Sequence, residues 1–302
     1  MANLCNVDGR ISSEADARIP VLDRGFLFGD SIYEVVRTHG GVPLTWSEHW
    51  TRLKASAASL AMELDLSESV VARRVAETMA QADHGDCYVR IIVTRGTGDA
   101  PNIDLAYANS PPRWVLMVRP LQLSIGKPVL LAMVDRLRND RRALDPAAKS
   151  GNYLNNVLGL AEAKASGATD CIMLNQDGSV TEASTSNLFA RIDGVWCTPP
   201  LNVGILAGIT RGMLLEFLPE AGERVEERRI TKQDLESAEE IFLSSTLRDI
   251  GPVTQLNGRV LHADHSGGVG PATARLIPAF GKFVARRLTE RDGPHWRKLL
   301  GQ

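Results

Sequence analysis

"TEASTSNLFARIDGVWCTPP" occupies Thr181 to Pro200. An acid, Glu182, stands in a run of small residues just ahead of the strand-like SNLFARI, and Asp193-Gly194 then turns the chain into a second strand, VWCT. Asp-Gly between strands is a strong hairpin signal, because both turn positions need positive φ. Three roles are open to Glu182: it can close a strand, pair with an arginine, or hydrogen-bond a ring nitrogen of a bound heterocycle. A carboxylate suits the last role better than an amide, since it keeps a pyridine nitrogen protonated and the ring electron-accepting.

Working outward, CIMLN, an Asp177-Gly178 turn and SVTEA precede this stretch. Upstream of them a helix is predicted from Asn152 to Ser166, with Tyr153, Val157, Leu160, Ala161 and Ala165 at helical spacing and Gly167 closing it. Downstream come helices at Thr210 to Leu218 and Lys232 to Ser237, the strand EIFLSST, a hairpin at Asn257-Gly258 and a helix from Ala272 to Leu288. The first half opens with RISSE, FLFGDSIYEVVRTHGG and VPLTW as strands, the last two joined at Gly40-Gly41. A helix capped by Ser47, with Leu53, Ala57, Leu60 and Leu64 inward, and a second over 67–81 lead to strands CYVRIIVTRG and RWVLMVRPL. QLSIGKP breaks the periodicity before VLLAMVDRL and reads as a linker. The expectation is an α+β protein with a small N-terminal domain over 1–120, a linker at 121–127 and a larger C-terminal domain over 128–302.

A chain of 302 residues with a net charge of −2 and interspersed acids and bases carries no basic stripe for nucleic acid or an anionic membrane. Small-molecule chemistry is the default. Cys5, Cys87, Cys171 and Cys197 form no CxxC pair or His/Cys cluster, so no metal is expected and the thiols read as those of a reduced, cytoplasmic protein. No run approaches the roughly 20 apolar residues of a membrane span, and the first residues lack a secretion-signal pattern.

Lysine is scarce: seven lysines and 27 arginines make up the 34 basic residues. Lys149 stands apart, at the edge of a loop in DPAAKSGNYLNNVLG, with alanines before it and Ser-Gly after it. A partly desolvated amine has a lowered pKa, the condition for a lysine that forms a Schiff base, although a solvated surface charge is the ordinary role of a lysine. In GILAGITRGMLLEF, Gly208 and Thr210 open a helix whose first N–H groups suit a phosphate, or simply cap it. FLSSTLRD closes a strand with Ser244, Ser245 and Thr246, where hydroxyls serve a dianion or a turn. Arg52 shares a helix face with Ser56 and Glu48, and a surface ion pair competes with an anion-binding role.

Taken in order, DRGFLFGDSIYEVVRT, EHWTRLKASA, KSGNYLNNVL, VTEASTSNLF, LAGITR and FLSSTLRDIGPV resemble the motifs of the class IV (fold type IV) pyridoxal-phosphate aminotransferases across almost the whole chain. That group includes branched-chain aminotransferases, D-amino-acid aminotransferases and aminodeoxychorismate lyases. The resemblance implies a two-domain α+β fold with pyridoxal 5′-phosphate between the domains. It implies that Lys149 forms the imine with the cofactor and shuttles the proton, that Glu182 meets the pyridine nitrogen, and that Tyr153 lies near the phenolic oxygen. Arg52, Ile209, Thr210, Ser245 and Thr246 would hold the phosphate, and Tyr33, Tyr88 and Arg90 would line the substrate pocket. It further implies an amino donor and an oxo-acid acceptor as substrates, and a homodimer or higher homo-oligomer.

The branch is read from finer features. Tyr88-x-Arg90 resembles branched-chain enzymes, VTRG and the KSGN spacing resemble the D-amino-acid and lyase branches, and the Arg-x-His clamp of D-amino-acid enzymes is absent from TGDAPNIDL. The leading expectation is transamination of branched-chain L-amino acids with 2-oxoglutarate. D-amino acids or (R)-amines, and lysis of aminodeoxychorismate, are the alternatives. Arg248 replaces a small residue of the branched-chain enzymes, and pairing with Asp249 is expected over binding of an acidic substrate.

Overall fold

The computed structural model describes residues 2–263 and 266–302. The chain begins with β1 (Leu4–Val7), β2 (Arg10–Ser13), α1 (Arg24–Phe28), β3 (Ser31–His39), β4 (Val42–Pro43), α2 (Trp46–Ser59), α3 (Glu68–Ala82), β5 (Cys87–Thr94) and β6 (Arg113–Pro120). There follow β7 (Val129–Met133), α4 (Leu154–Ala165), β8 (Asp170–Leu174), β9 (Val180–Ala183), β10 (Asn187–Ile192), β11 (Val195–Thr198) and α5 (Ile209–Glu220). The last elements are β12 (Val225–Glu227), α6 (Lys232–Glu236), β13 (Glu240–Ser244), β14 (Gly251–Leu256), β15 (Arg259–Val260), α7 (Pro271–Arg287) and α8 (Gly293–Leu300).

Contacts divide the chain into two units. The first holds Met1–Gln122, Ala148–Asn152 and Arg286–Gln302, and the second Leu123–Ala147 and Tyr153–Ala285. Two segments that the sequence assigns to the C-terminal domain therefore belong to the first unit. The reason for 148–152 is backbone pairing: the Tyr33 N–H donates to the Lys149 carbonyl at 2.9 Å and the Gly151 N–H to the Ser31 carbonyl at 2.8 Å. The reason for the C-terminus is apolar burial, since Trp296 of α8 meets Trp46 edge-on at 4.9 Å within the first unit's core.

The first unit is built on an antiparallel six-stranded sheet in the order β2-β1-β6-β5-β3-β4. Cys87, Val89, Ile91 and Val93 alternate into a core shared with Leu53 and Ala57 of α2 and Val71, Ala72 and Val75 of α3. The period of two then sends Tyr88 and Arg90 to the opposite face, together with Tyr33 of β3. Two expectations change here. FLFG is not strand: Asp23 accepts the Gly25 N–H at 2.9 Å, starting α1, and Gly29 at φ 67 ends it before β3 begins. Ser47 is not a cap either, because Thr45 holds the N-cap position, without a side-chain cap bond, and α2 starts at Trp46.

The second unit carries a nine-stranded mixed sheet, β12-β11-β10-β13-β14-β7-β8-β9, with β15 paired to β14. The pairs β11/β12, β14/β7 and β7/β8 are parallel. Its core stacks Phe189 on Phe242 at 4.9 Å, with Trp196 tilted against Phe242 at 4.8 Å. The turns Asp193-Gly194 and Asn257-Gly258 have positive φ at both residues, as their sequences predict. Helix α4 buries a different face from the one its apolar spacing suggests: Asn156, Gly159 and Ala163 turn inward, while Leu154, Val157 and Leu158 stay exposed. A Cβ on Gly159 would lie 3.2 Å from the Met173 sulfur and 3.3 Å from that of Cys171, so packing of α4 on β8 selects the small face.

Candidate functional site

In the first unit, the strand register and the 148–152 segment bring Lys149 to β3. The Ser56 Oγ of α2 accepts the Lys149 N–H at 3.1 Å. The Lys149 ammonium donates to the Tyr33 hydroxyl at 3.3 Å and lies 4.3 Å from the centre of the Tyr33 ring. The Arg90 guanidinium stacks on the same ring at 4.0 Å. Tyr33 is 6% exposed. It therefore links the amine and the guanidinium, and Tyr88 lies on the same strand face two residues from Arg90.

Behind Lys149, on the core side of β3, Glu34 is gripped by α2. Arg52 donates from Nε to Glu34 Oε1 and from Nη2 to Oε2, each at 2.7 Å, and His49 Nδ1 lies 2.7 Å from Oε2. Burial pushes the Glu34 carboxyl up, but Arg52 and then His49 outweigh it and hold it at about 2. Burial lowers His49, against the pull of Glu34, so its imidazole is favoured neutral, donating from Nδ1. Arg52 is thus held in a nearly buried ion pair with Glu34, while Glu48 of its own helix pairs with Arg287 and Arg291.

In the second unit, Glu182 sits on β9 at 5% exposure. Its Oε1 accepts from Arg138 Nη2 at 2.8 Å, and Oε2 accepts from the Asn187 side-chain amide and the Leu206 N–H, each at 3.1 Å. Of the three roles open in the sequence, the arginine pair is present here. Asn187 also donates to the Leu206 carbonyl at 3.0 Å, joining the acid to the loop that enters α5. That loop ends in Gly208, the N-cap of α5 with no side-chain cap bond, so the N–H groups of Ile209 and buried Thr210 open the helix. A Cβ on Gly208 would fall 1.8 Å from Asn187 Oδ1.

A family model described as "Amino-transferase class IV" matches residues 31–256. The chain belongs to this family. Among curated relatives, a Methanocaldococcus jannaschii protein provisionally named as a branched-chain-amino-acid aminotransferase is 35% identical over 276 residues, covering 91% of this chain and 94% of the relative. The D-alanine aminotransferase of Bacillus licheniformis is 33% identical over 277 residues, covering 92% and 95%. Among solved structures, the branched-chain aminotransferase of Thermoproteus uzoniensis with norvaline has a TM-score of 0.85 at 27% identity, with 97% of each chain covered. The T.th. branched-chain amino acid aminotransferase complexed with N-(5′-phosphopyridoxyl)-L-glutamate has a TM-score of 0.86 at 26% identity, again with 97% of each chain covered.

The remaining sequence-predicted residues of this class IV aminotransferase fall as follows. Tyr153 is half-buried at the N-cap of α4 in the second unit. Ser245 and Thr246 follow β13, where the Ser245 carbonyl accepts the N–H groups of Arg248 and Asp249 at 3.1 and 2.9 Å. Arg248 pairs with Asp170 at 3.3 Å rather than with Asp249, because the turn carries it back over the start of β8. Sequence reasoning missed Glu34, His49, Arg138, Asn156 and Asn187. Only Glu34 had a usable signal, an acid alternating onto the core face of a strand beside an arginine-bearing helix. Among the described residues no group of His, Cys, Asp and Glu could hold a metal ion, and no helix is long and apolar enough to cross a membrane.

Proposed function

We propose that this aminotransferase uses pyridoxal 5′-phosphate to exchange an amino group between a branched-chain L-amino acid and a 2-oxo acid such as 2-oxoglutarate. The observation that carries the cofactor is the donor set itself: a buried acid paired with Arg138 and two N–H donors, with Asn187 tying it to a helix start that has no side-chain cap bond. The buried hydroxyls of Ser186 and Ser244, which meet no hydrogen-bond partner among the described residues, lie at the same end of the β10/β13 pair and suit a polar ligand. The residues present therefore fit the group.

When bound, pyridoxal phosphate supplies an aldehyde and an electron-accepting ring. Lys149 would supply the amine that holds the aldehyde, and its Nζ, when free, would serve as the base that takes the proton from the substrate Cα. Glu182 would hold the ring nitrogen. The N–H groups of Ile209 and Thr210, with Ser245, Thr246 and Arg52, would receive the phosphate, and Tyr153 would serve the phenolic oxygen. Arg90, steadied by its stack on Tyr33, takes the substrate carboxylate with Tyr88 beside it.

Support for the branched-chain reading comes from Tyr88-x-Arg90 and from the names of the archaeal relative and the structural neighbours. A second reading, transfer from D-amino acids, rests on the D-alanine aminotransferase relative and the KSGN spacing. Half-reaction spectra with a panel of L- and D-amino acids separate them. Conversion to the pyridoxamine form by L-leucine, L-valine and L-isoleucine is the expected result; conversion by D-alanine alone overturns it, and release of pyruvate from aminodeoxychorismate identifies a lyase.

A cytoplasmic homodimer completes the reading. It is supported by four buried free cysteines and by apolar surface at Leu154, Val157 and Leu158 in the second unit and Ile103 and Leu105 in the first.

A further inference from the structure

We infer that Arg138 is a positioning residue of the reaction: it fixes the orientation of Glu182. The inference rests on the reading that Glu182 receives the cofactor's ring nitrogen. Arg138 lies 11 residues ahead of the reactive lysine, in a segment that carries no motif of its own.

Glu182 is a buried acid, and an isolated carboxylate at such a depth is costly unless paired and hydrogen-bonded. Asn187 and the Leu206 N–H supply dipoles, and Arg138 supplies the opposite charge, at 2.8 Å. The grip is end-on. Arg138 donates from Nη2 to Oε1, and its other terminal nitrogen, Nη1, donates to Asn156 Oδ1 at 2.9 Å. A fork on both oxygens would cover the carboxylate with guanidinium; this end-on contact orients it through Oε1.

Arg138 is itself immobilised. Its side chain is 8% exposed, its backbone N–H donates to the Leu174 carbonyl at 2.8 Å, and Asn156 is fixed in turn by donating to the Ser184 carbonyl at 2.7 Å. Asn156 is one of the three residues that α4 turns inward, so the unexpected face of that helix serves this chain of bonds. An acid oriented by a rigidly held cation needs little reorganisation when a positive ring nitrogen forms beside it.

The test is an apoprotein titration with pyridoxamine 5′-phosphate, which forms no bond to Lys149, read by fluorescence quenching alongside steady-state kinetics. Arg138→Met should weaken pyridoxamine phosphate binding by about 10-fold. It should lower kcat by roughly 10- to 100-fold, the usual effect of removing a residue that orients an acid or ligand, while leaving KM for the amino donor within about twofold. Arg138→Lys should recover part of both losses through its charge, and Asn156→Ala, which frees the far end of the guanidinium, should fall between native and Arg138→Met. Should Arg138→Met be insoluble, the lysine and Asn156 variants carry the same comparison. Native kcat and affinity in Arg138→Met, or a KM that rises as much as kcat falls with no recovery by lysine, overturns the inference. Native protein that neither binds the cofactor nor transaminates sinks the underlying functional reading instead.

Discussion

Glu34 and Arg52 meet through two parallel hydrogen bonds of 2.7 Å, one strand of the first unit gripping one helix by a carboxylate that is 1% exposed. His49, one turn before Arg52, lies against the same carboxylate and fixes its second oxygen. The pair locks the helix that is expected to present a cation to phosphate, so its strength bears on fold and function together.

Removing the carboxylate's charge in Glu34→Gln leaves a guanidinium that is nearly buried without its counter-ion. The expected loss of stability is about 3 kcal/mol, the usual cost of breaking one side of a buried pair. Urea denaturation followed by tryptophan fluorescence checks it, since Trp46, Trp50 and Trp114 all report on that core. An unchanged midpoint would show that the pair contributes nothing.

Acid should weaken the first unit in two stages. His49 is depressed below its ordinary 6.5 by burial, so the unfolded chain takes up that proton first and stability begins to fall as pH drops below about 6.5. Glu34, at about 2 in the fold against 4.5 as its ordinary value, contributes stability that is complete above 4.5 and is lost as pH falls through about 2. Denaturant midpoints should stay level from pH 8 to about 6.5 and decline from there to pH 3, and His49→Gln should flatten the part nearest neutrality. A midpoint that rises on acidification contradicts both directions.

Lys149→Ala should abolish multiple-turnover transamination and leave the circular-dichroism spectrum native, because the Lys149 backbone bonds to Tyr33 and Ser56 remain. Borohydride reduction of the cofactor-loaded native protein, followed by peptide mapping, should place the label on Lys149 and nowhere else.

Gly208→Ala tests the cradle at the start of α5. At φ −66 the backbone accepts alanine, so any effect is steric and comes from the methyl group 1.8 Å from Asn187 Oδ1. Asn187 must move, loosening Glu182 and the Leu206 loop together. We expect about 1–3 kcal/mol of destabilisation, typical of overpacking, and weaker binding of pyridoxal phosphate by equilibrium dialysis. Native affinity would mean that Asn187 and the loop are independent of the cofactor.

What the sequence determined by itself was local. Asp193-Gly194 and Asn257-Gly258 dictated hairpins because few other pairs tolerate positive φ twice, and the alternation in CYVRIIVTRG put Tyr88 and Arg90 on one face because the strand period is two. The ordered motifs around Lys149, Glu182 and Thr210 sufficed to show the family resemblance. Tertiary structure decided the partners. Arg138 reaches Glu182 across 44 positions, and Glu34 meets Arg52 across 18, distances at which no periodicity or propensity carries a signal. The same holds for α4, whose apolar spacing named one face while packing chose another: a helix against a sheet buries whichever side lets the backbones approach, and there Gly159 outweighs Val157.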